Sequence, residues 1–185
     1  MTALTVWSDY ACPFAFIGYL RVLRARPDDT GVEWRAFELH PEIPFGGVAR
    51  PRRGAGTLRA LAEAEGARLR ASDRVWNSRP ALQAAEIARA EGRHAELHDR
   101  LFRGAWEEGL DLGRPDVLRG VVADVGLDAD AVIDAIRAGV GVDPIVDAIE
   151  EAFGLGITGT PSYRIDGRVL RGLQEVDADR KSTRL

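Results

Sequence analysis

Leu4-Thr5-Val6-Trp7-Ser8-Asp9-Tyr10-Ala11-Cys12-Pro13-Phe14-Ala15-Phe16-Ile17 is the stretch on which the fold turns. Its first four residues are apolar or β-branched, the composition of a strand, and Ser8 to Ala11 reads as the loop that follows. From Pro13 onward Phe16, Ile17, Leu20 and Leu23 take up helical spacing. Proline suits the first helical position, because its missing N–H would have no intrahelical partner there. A strand therefore delivers the chain to a cysteine at the start of a helix. Arg26-Pro27-Asp28-Asp29 closes that helix, and Val32-Glu33-Trp34-Arg35-Ala36-Phe37 alternates like a half-buried strand. Pro41, Pro44, Gly46 and Gly47 then mark a long turn.

Beyond this strand–helix–strand opening the period changes. One helix is predicted from about Thr57 to Arg70. A second is introduced by Ser78 and Pro80, with Ala81, Ala84, Ala85 and Ala88 on one face and Gly92 as its stop. His98, Leu101, Phe102 and Ala105 form the stripe of a third, and Leu118, Val121, Val122 and Val125 that of a fourth. Asp128 caps a fifth, and Asp143-Pro144 opens a sixth that ends at Gly154. After Gly154 the period returns to two: Ser162-Tyr163-Arg164-Ile165 and Arg168-Val169-Leu170-Arg171 flank Asp166-Gly167, the signature of a hairpin. One mixed sheet with a helical interruption accounts for this order.

The charge balance, 25 Lys plus Arg against 29 Asp plus Glu, gives a net charge of -4 and no general attraction for nucleic acid. The arginines are spread along the chain and Lys181 is the single lysine. No run of 18 apolar residues suggests a membrane span, and no secretory leader is legible, so the expected address is the cytoplasm. With Cys12 as the one cysteine, neither an intramolecular disulfide nor an all-cysteine metal site can form. His94 and His98 stand four apart but lack the glutamate and third ligand of a zinc motif, so no metal is expected.

Cys12 has two readings. A lone cysteine is commonly a small buried hydrophobe. At a helix N-terminus, however, it meets unpaired backbone N–H groups and the positive end of the macrodipole, which favour a reactive thiolate. For His98, on an apolar stripe, the expectation is a hydrogen-bonded core histidine rather than a proton shuttle. His40 reads as structural. Arg50, Arg52 and Arg53 read as a solvated loop, the alternative being a contact to an anionic substrate. Asn77 and Ser78 serve equally as a helix cap or as ligand contacts.

Four stretches carry a resemblance: Trp7-Ser8-Asp9-Tyr10-Ala11-Cys12-Pro13-Phe14-Ala15, Glu33-Trp34-Arg35-Ala36-Phe37-Glu38-Leu39-His40-Pro41, Asn77-Ser78-Arg79-Pro80-Ala81-Leu82 and Gly156-Ile157-Thr158-Gly159-Thr160-Pro161-Ser162-Tyr163. In this order they resemble the DsbA-like oxidoreductases of the FrnE type, relatives of kappa-class glutathione transferases and 2-hydroxychromene-2-carboxylate isomerases. The resemblance implies an α/β, thioredoxin-like fold with an inserted helical domain: residues 1–54 and 155–185 form the thioredoxin-like part and 55–154 the insertion. It also implies that Pro161 is a cis-proline facing Cys12, that Thr160 offers backbone hydrogen bonds to an extended substrate, and that Asn77 and Ser78 lie near the thiol.

Two departures accompany it. The family pattern is C-P-x-C, and Ala15 stands where the second cysteine belongs. Pro13, Phe14 and Ala15 thus begin an active-site helix with Cys12 as its single thiol. The expected function is a monothiol form of a thiol-disulfide oxidoreductase, with a protein or glutathione thiol or disulfide as partner, glutathione as co-substrate and no tightly bound cofactor. A glutathione-dependent isomerase or transferase is one alternative, and a noncatalytic peptide-binding module or chaperone is the other. The second departure is the polar tail, residues 173–185, in place of the family's covering helix. An uncovered apolar face would be hidden either by a short helix formed from Leu173, Val176 and the residues after them or, the favoured alternative, by a second copy in a twofold homodimer.

Overall fold

A computed structural model describes residues 4–26, 31–50 and 56–174. Strand β1 (Leu4–Ser8) leads through the cysteine loop into α1 (Pro13–Ala25), and β2 (Val32–Ala36) follows. The chain then forms β3 (Val48–Ala49), α2 (Gly56–Ala64) and β4 (Arg74–Val75) before the helices α3 (Arg79–Ala90), α4 (His94–Arg103), α5 (Pro115–Asp124), α6 (Ala129–Arg137) and α7 (Val142–Gly154). Strands β5 (Ser162–Ile165) and β6 (Arg168–Arg171) complete it.

The main sheet has the order β2-β1-β5-β6, with β1 parallel to β2 and antiparallel to β5. The two predicted strand regions therefore share one sheet although the helices separate them in sequence. This is the α/β architecture of the thioredoxin-like reading. The register Leu4↔Ile165 to Trp7↔Ser162 sets the start of β5 beside the end of β1. Asp166 at φ 48° and Gly167 at φ 77° make the tight turn that the Asp-Gly pair predicted.

All five residues of β1 are buried, as a strand covered on both faces must be. Leu4 and Val6 join Phe16, Ile17 and the inner faces of the helices in the larger core cluster. Trp7, on the opposite face, packs with Phe37, Ala152 and Ile157 in a second one, and its Nε1 donates to the Ala148 carbonyl of α7 at 3.1 Å.

The structure redraws several boundaries. The helix expected to reach Arg70 ends at Ala64, because Gly66 adopts a left-handed φ of 77° and Ala67 N donates back to Ala62 O. The stripe from His98 to Ala105 is not one α-helix: α4 stops at Arg103 and a π-helical turn, Gly104–Glu108, follows. The short β3–β4 ladder carries too few residues to show a period in sequence. The Asp128 cap is present, its side chain accepting from Ala131 N. Arg52, Arg53 and the tail from residue 175 onward lie outside the described residues, and so does any cover that the tail provides.

Candidate active site

The C-terminal ends of β1 and β2 and the N-terminal end of β5 lie together, because β1 runs parallel to β2 and antiparallel to β5. Each loop leaving this edge brings polar groups to one place. Cys12 is the N-cap of α1, with extended backbone (φ -96°, ψ 116°) and Pro13 following. Its Sγ lies 3.5 Å from the carbonyl oxygen of Thr160, and the Thr160–Pro161 peptide is cis. The resemblance implied that isomer and that proximity. The Thr160 Oγ1 is buried without a hydrogen-bond partner among the described residues.

The thiol is 4% exposed. Burial, the largest influence, pushes its pKa up. Thr160 and the backbone N–H groups of Ala15 and Phe14 act the other way, and the negative charge of Asp9 adds to the rise. The helix-end stabilisation expected from the sequence is thus present, but desolvation outweighs it. Burial thus shifts the thiol in the direction opposite to the one expected from the helix end. Phe14, the second residue of α1, is 44% exposed, and Ala15 is buried.

Asp9 holds the loop. Its carboxylate accepts from Ala11 N at 2.9 Å, Leu39 N at 2.7 Å and Ser78 Oγ at 3.0 Å, joining the loops after β1 and β2 to the start of α3. Burial raises its pKa to about 6, against those three bonds, and nearby Glu38 adds to the rise. Glu38 is itself buried and accepts from Arg79 Nε at 2.9 Å, with a second contact from Nη2. The sequence reading did not single out Asp9; the only local signal is a carboxylate three residues before the cysteine.

Asn77 and Ser78, both buried, are engaged within the protein. Asn77 Nδ2 donates to Ile43 O at 2.6 Å and its Oδ1 accepts from Arg79 N at 3.0 Å. Ser78 is the N-cap of α3 but makes no side-chain cap bond, its hydroxyl going to Asp9 instead. Another missed residue is Trp106, which the π-helical turn aims at the cysteine loop, so that Nε1 donates to Tyr10 O at 2.8 Å. Farther along α1, Gly18 lets the helix pass Tyr163 and Pro161: a Cβ there would lie 2.5 Å from the Tyr163 hydroxyl oxygen and 3.1 Å from Pro161 Cγ.

The other candidates lie apart. His98 is buried, with Nδ1 2.7 Å from the Tyr10 hydroxyl, the hydrogen-bonded core histidine that was expected. His40 is exposed and pairs with Glu42 at 2.9 Å. Arg50 corrects its expectation: it donates to Ser72 O and Arg74 O and lies over the Trp106 ring, so it is a bonded structural residue, not a solvated one. Among the described residues no group of three or more His, Cys, Asp or Glu could hold a metal, and no helix is long and apolar enough to cross a membrane.

Among solved structures, a probable DsbA oxidoreductase from Streptomyces coelicolor superimposes with a TM-score of 0.82 at 27% identity, covering 97% of this chain and 86% of that one. The cytosolic disulfide reductase DsbM from Pseudomonas aeruginosa, solved with GSH, shares the fold at a TM-score of 0.70 and 21% identity, covering 92% of this chain and 89% of that one. The 2-hydroxychromene-2-carboxylate isomerase of Sphingobium xenophagum is 29% identical over 102 residues, which is 55% of this chain and 50% of that protein. The DSBA-like thioredoxin domain matches residues 3–182, and with the sheet order, the cis-proline and the helix-capping cysteine it identifies this chain as a member of the DSBA-like thioredoxin family.

Proposed function

We propose that the protein is a thiol-disulfide oxidoreductase working through one thiol, Cys12, on protein or glutathione disulfides in the cytoplasm. The observation that carries this reading is the approach of Cys12 Sγ to Thr160 O, 3.5 Å, across from the cis-Pro161. In this division of labour residues 1–54 and 155–185 are the thioredoxin-like domain and 55–154 the inserted helical one. Thr160 presents backbone hydrogen bonds to an extended substrate held against Pro161. Its hydroxyl is a buried donor free to meet charge on sulfur. Phe14 offers an exposed aromatic surface next to the reacting atom. Pro13 fixes where the helix starts, and Asn77 and Ser78 act as positioning residues for the segment beside the thiol.

The chemistry proceeds in two exchanges. The Cys12 thiol loses its proton and attacks one sulfur of a substrate disulfide, forming a Cys12–substrate disulfide and releasing the other half as a thiolate, which takes up a proton. With Ala15 in place of a second cysteine, the mixed disulfide is then attacked by an external thiol, glutathione. Glutathione gives up its proton on attack, Cys12 is released as a thiolate that takes up a proton, and a substrate–glutathione disulfide is formed. No electron is left over: the incoming thiol reduces Cys12 as the substrate sulfur is transferred to it.

A second reading, a glutathione-dependent isomerase, is favoured by the 29% identity to the Sphingobium enzyme over about half the chain. Mass spectrometry after incubation with glutathione disulfide distinguishes the two. The oxidoreductase reading expects a glutathione adduct on Cys12 that glutathione removes. The isomerase reading expects bound but unattached glutathione. Neither adduct nor binding overturns both and leaves a noncatalytic binding module.

A further inference from the structure

The turn Asp9-Tyr10-Ala11-Cys12 delivers the chain to α1 and is closed by a hydrogen bond from Cys12 N to Asp9 O at 3.0 Å. Its middle unit is the peptide between Tyr10 and Ala11. In a four-residue turn this is the unit free to rotate, since turn types I and II differ by a flip of the central peptide. Here both of its ends are held. The Ala11 N–H donates to Asp9 Oδ1 at 2.9 Å, and the Tyr10 carbonyl accepts from Trp106 Nε1 at 2.8 Å, across 96 positions of the chain.

The indole donor is fixed in its own right. Trp106 is buried in the π-helical turn Gly104–Glu108, whose closing bond runs from Gly109 N to Gly104 O. Such turns are rare and are frequent at functional sites. Trp106 O accepts from Arg70 N at 2.6 Å. The Arg50 guanidinium lies 5.5 Å from the centroid of the indole ring and is anchored to Ser72 O and Arg74 O. An indole N–H donates and does not accept, so the polar work of this side chain is the bond to the cysteine turn.

Cys12 follows Ala11 directly. Its Sγ lies 3.5 Å from Thr160 O and is buried, so another sulfur meets it when the turn yields. A hydrogen bond that is made in the seated turn and lost in the open one lowers the open population by the equilibrium weight of that bond. We propose that Trp106 is a positioning residue for Cys12: its indole N–H latches the Tyr10–Ala11 peptide and so keeps the sulfur seated against Thr160 O. The proposal rests on Cys12 being the reacting thiol. Through this latch the helical insertion, and not α1 alone, governs how often that thiol is presented.

The rate of Cys12 alkylation by iodoacetamide at pH 8, measured on the full chain, tests the latch without any disulfide. Asp9, which holds the other end of the peptide, is ionised at that pH in parent and variants alike, its pKa being about 6. Trp106→Phe keeps an aromatic ring and removes the donor, and should react roughly 3- to 10-fold faster, the weight of one neutral hydrogen bond. Its pH profile should also move down toward the ordinary thiol value as the sulfur gains solvent. Benzothienylalanine placed at position 106, with sulfur in place of the N–H in a ring of the same shape, should give the same acceleration if the smaller phenyl ring does not fold. Leu118→Ala, a core truncation on α5, lowers stability without touching the turn and should leave the rate unchanged. A parental rate in both position-106 variants, or an equal acceleration in Leu118→Ala, would overturn the proposal. Acceleration in a protein that forms no glutathione adduct would uphold the latch and count against the oxidoreductase reading.

Discussion

Cys12 Sγ and the Thr160 carbonyl oxygen stand 3.5 Å apart although 148 residues separate them in the chain. Both strands that lead to them belong to one sheet, β1 ending where β5 begins, so the contact follows from strand register. It places the thiol under the cis-proline loop and also buries it, and the two consequences act on reactivity in opposite directions.

The rate of Cys12 alkylation should therefore titrate above the ordinary thiol value. Burial raises the pKa more than the helix-end N–H groups lower it. Iodoacetamide trapping from pH 7 to 10.5 should show a rate still rising beyond pH 9. A plateau reached below pH 8 would mean that the helix end dominates after all.

Ala15→Cys should restore the two-cysteine pattern on the first turns of α1. Ala15 is 1% exposed and its N–H faces the sulfur, so a second thiol enters near the first. Insulin reduction in the presence of dithiothreitol should rise roughly tenfold or more, since release of the mixed disulfide becomes intramolecular. An unchanged rate would show that release is not the slow step.

Gly18→Ala should destabilise the fold by about 1–3 kcal/mol, the usual cost of overpacking. The new methyl would meet the Tyr163 hydroxyl oxygen at 2.5 Å. That hydroxyl is buried without a hydrogen-bond partner among the described residues, so Tyr163→Phe should be neutral or stabilising on its own and should restore much of the loss in the double variant. Urea denaturation of the four proteins measures the coupling, and strictly additive effects would separate the two residues.

Asp9 makes stability depend on pH with a sign opposite to that of an ion-paired carboxylate. Its folded pKa, about 6, lies above the ordinary 3.8, so the native state holds the proton more tightly. The associated stability is full below about pH 4 and is lost as pH rises through 6, a change on the order of 3 kcal/mol. Asp9→Asn should remove this slope between pH 4 and 6.5 in urea midpoints compared with the parent. Buried His98, whose pKa burial pushes down, destabilises both proteins equally as pH falls, so the difference isolates Asp9.

Periodicity made much of the fold readable in advance. The βαβ opening, the order of the helices and the Asp166-Gly167 hairpin are local patterns, and local patterns survive in a sequence. The π-helical turn at Gly104–Glu108 and the early stop at Ala64 were not readable as boundaries: a glycine offers a left-handed conformation at many points, and packing selects where it is used. Within the candidate site, Cys12 and Pro13 were legible by their positions at the strand end and helix start, and Pro161 only through the family resemblance. Asp9 was not, because its three donors come from Ala11, Leu39 and Ser78, and no spacing rule connects those positions.

The sequence by itself determined that a strand would feed a helix at Cys12-Pro13, that a helical block would interrupt one mixed sheet, and that a single thiol would have to do without a second. Only the tertiary structure decided which way burial moves that thiol's pKa, what fixes its loop, and that an apolar cleft lies between the loop after β2 and the helices. Helix-end electrostatics depend on neighbours within one turn and can be read along the chain. Desolvation, buried hydrogen bonds and cavities depend on atoms brought together from distant segments, and their balance exists only after folding.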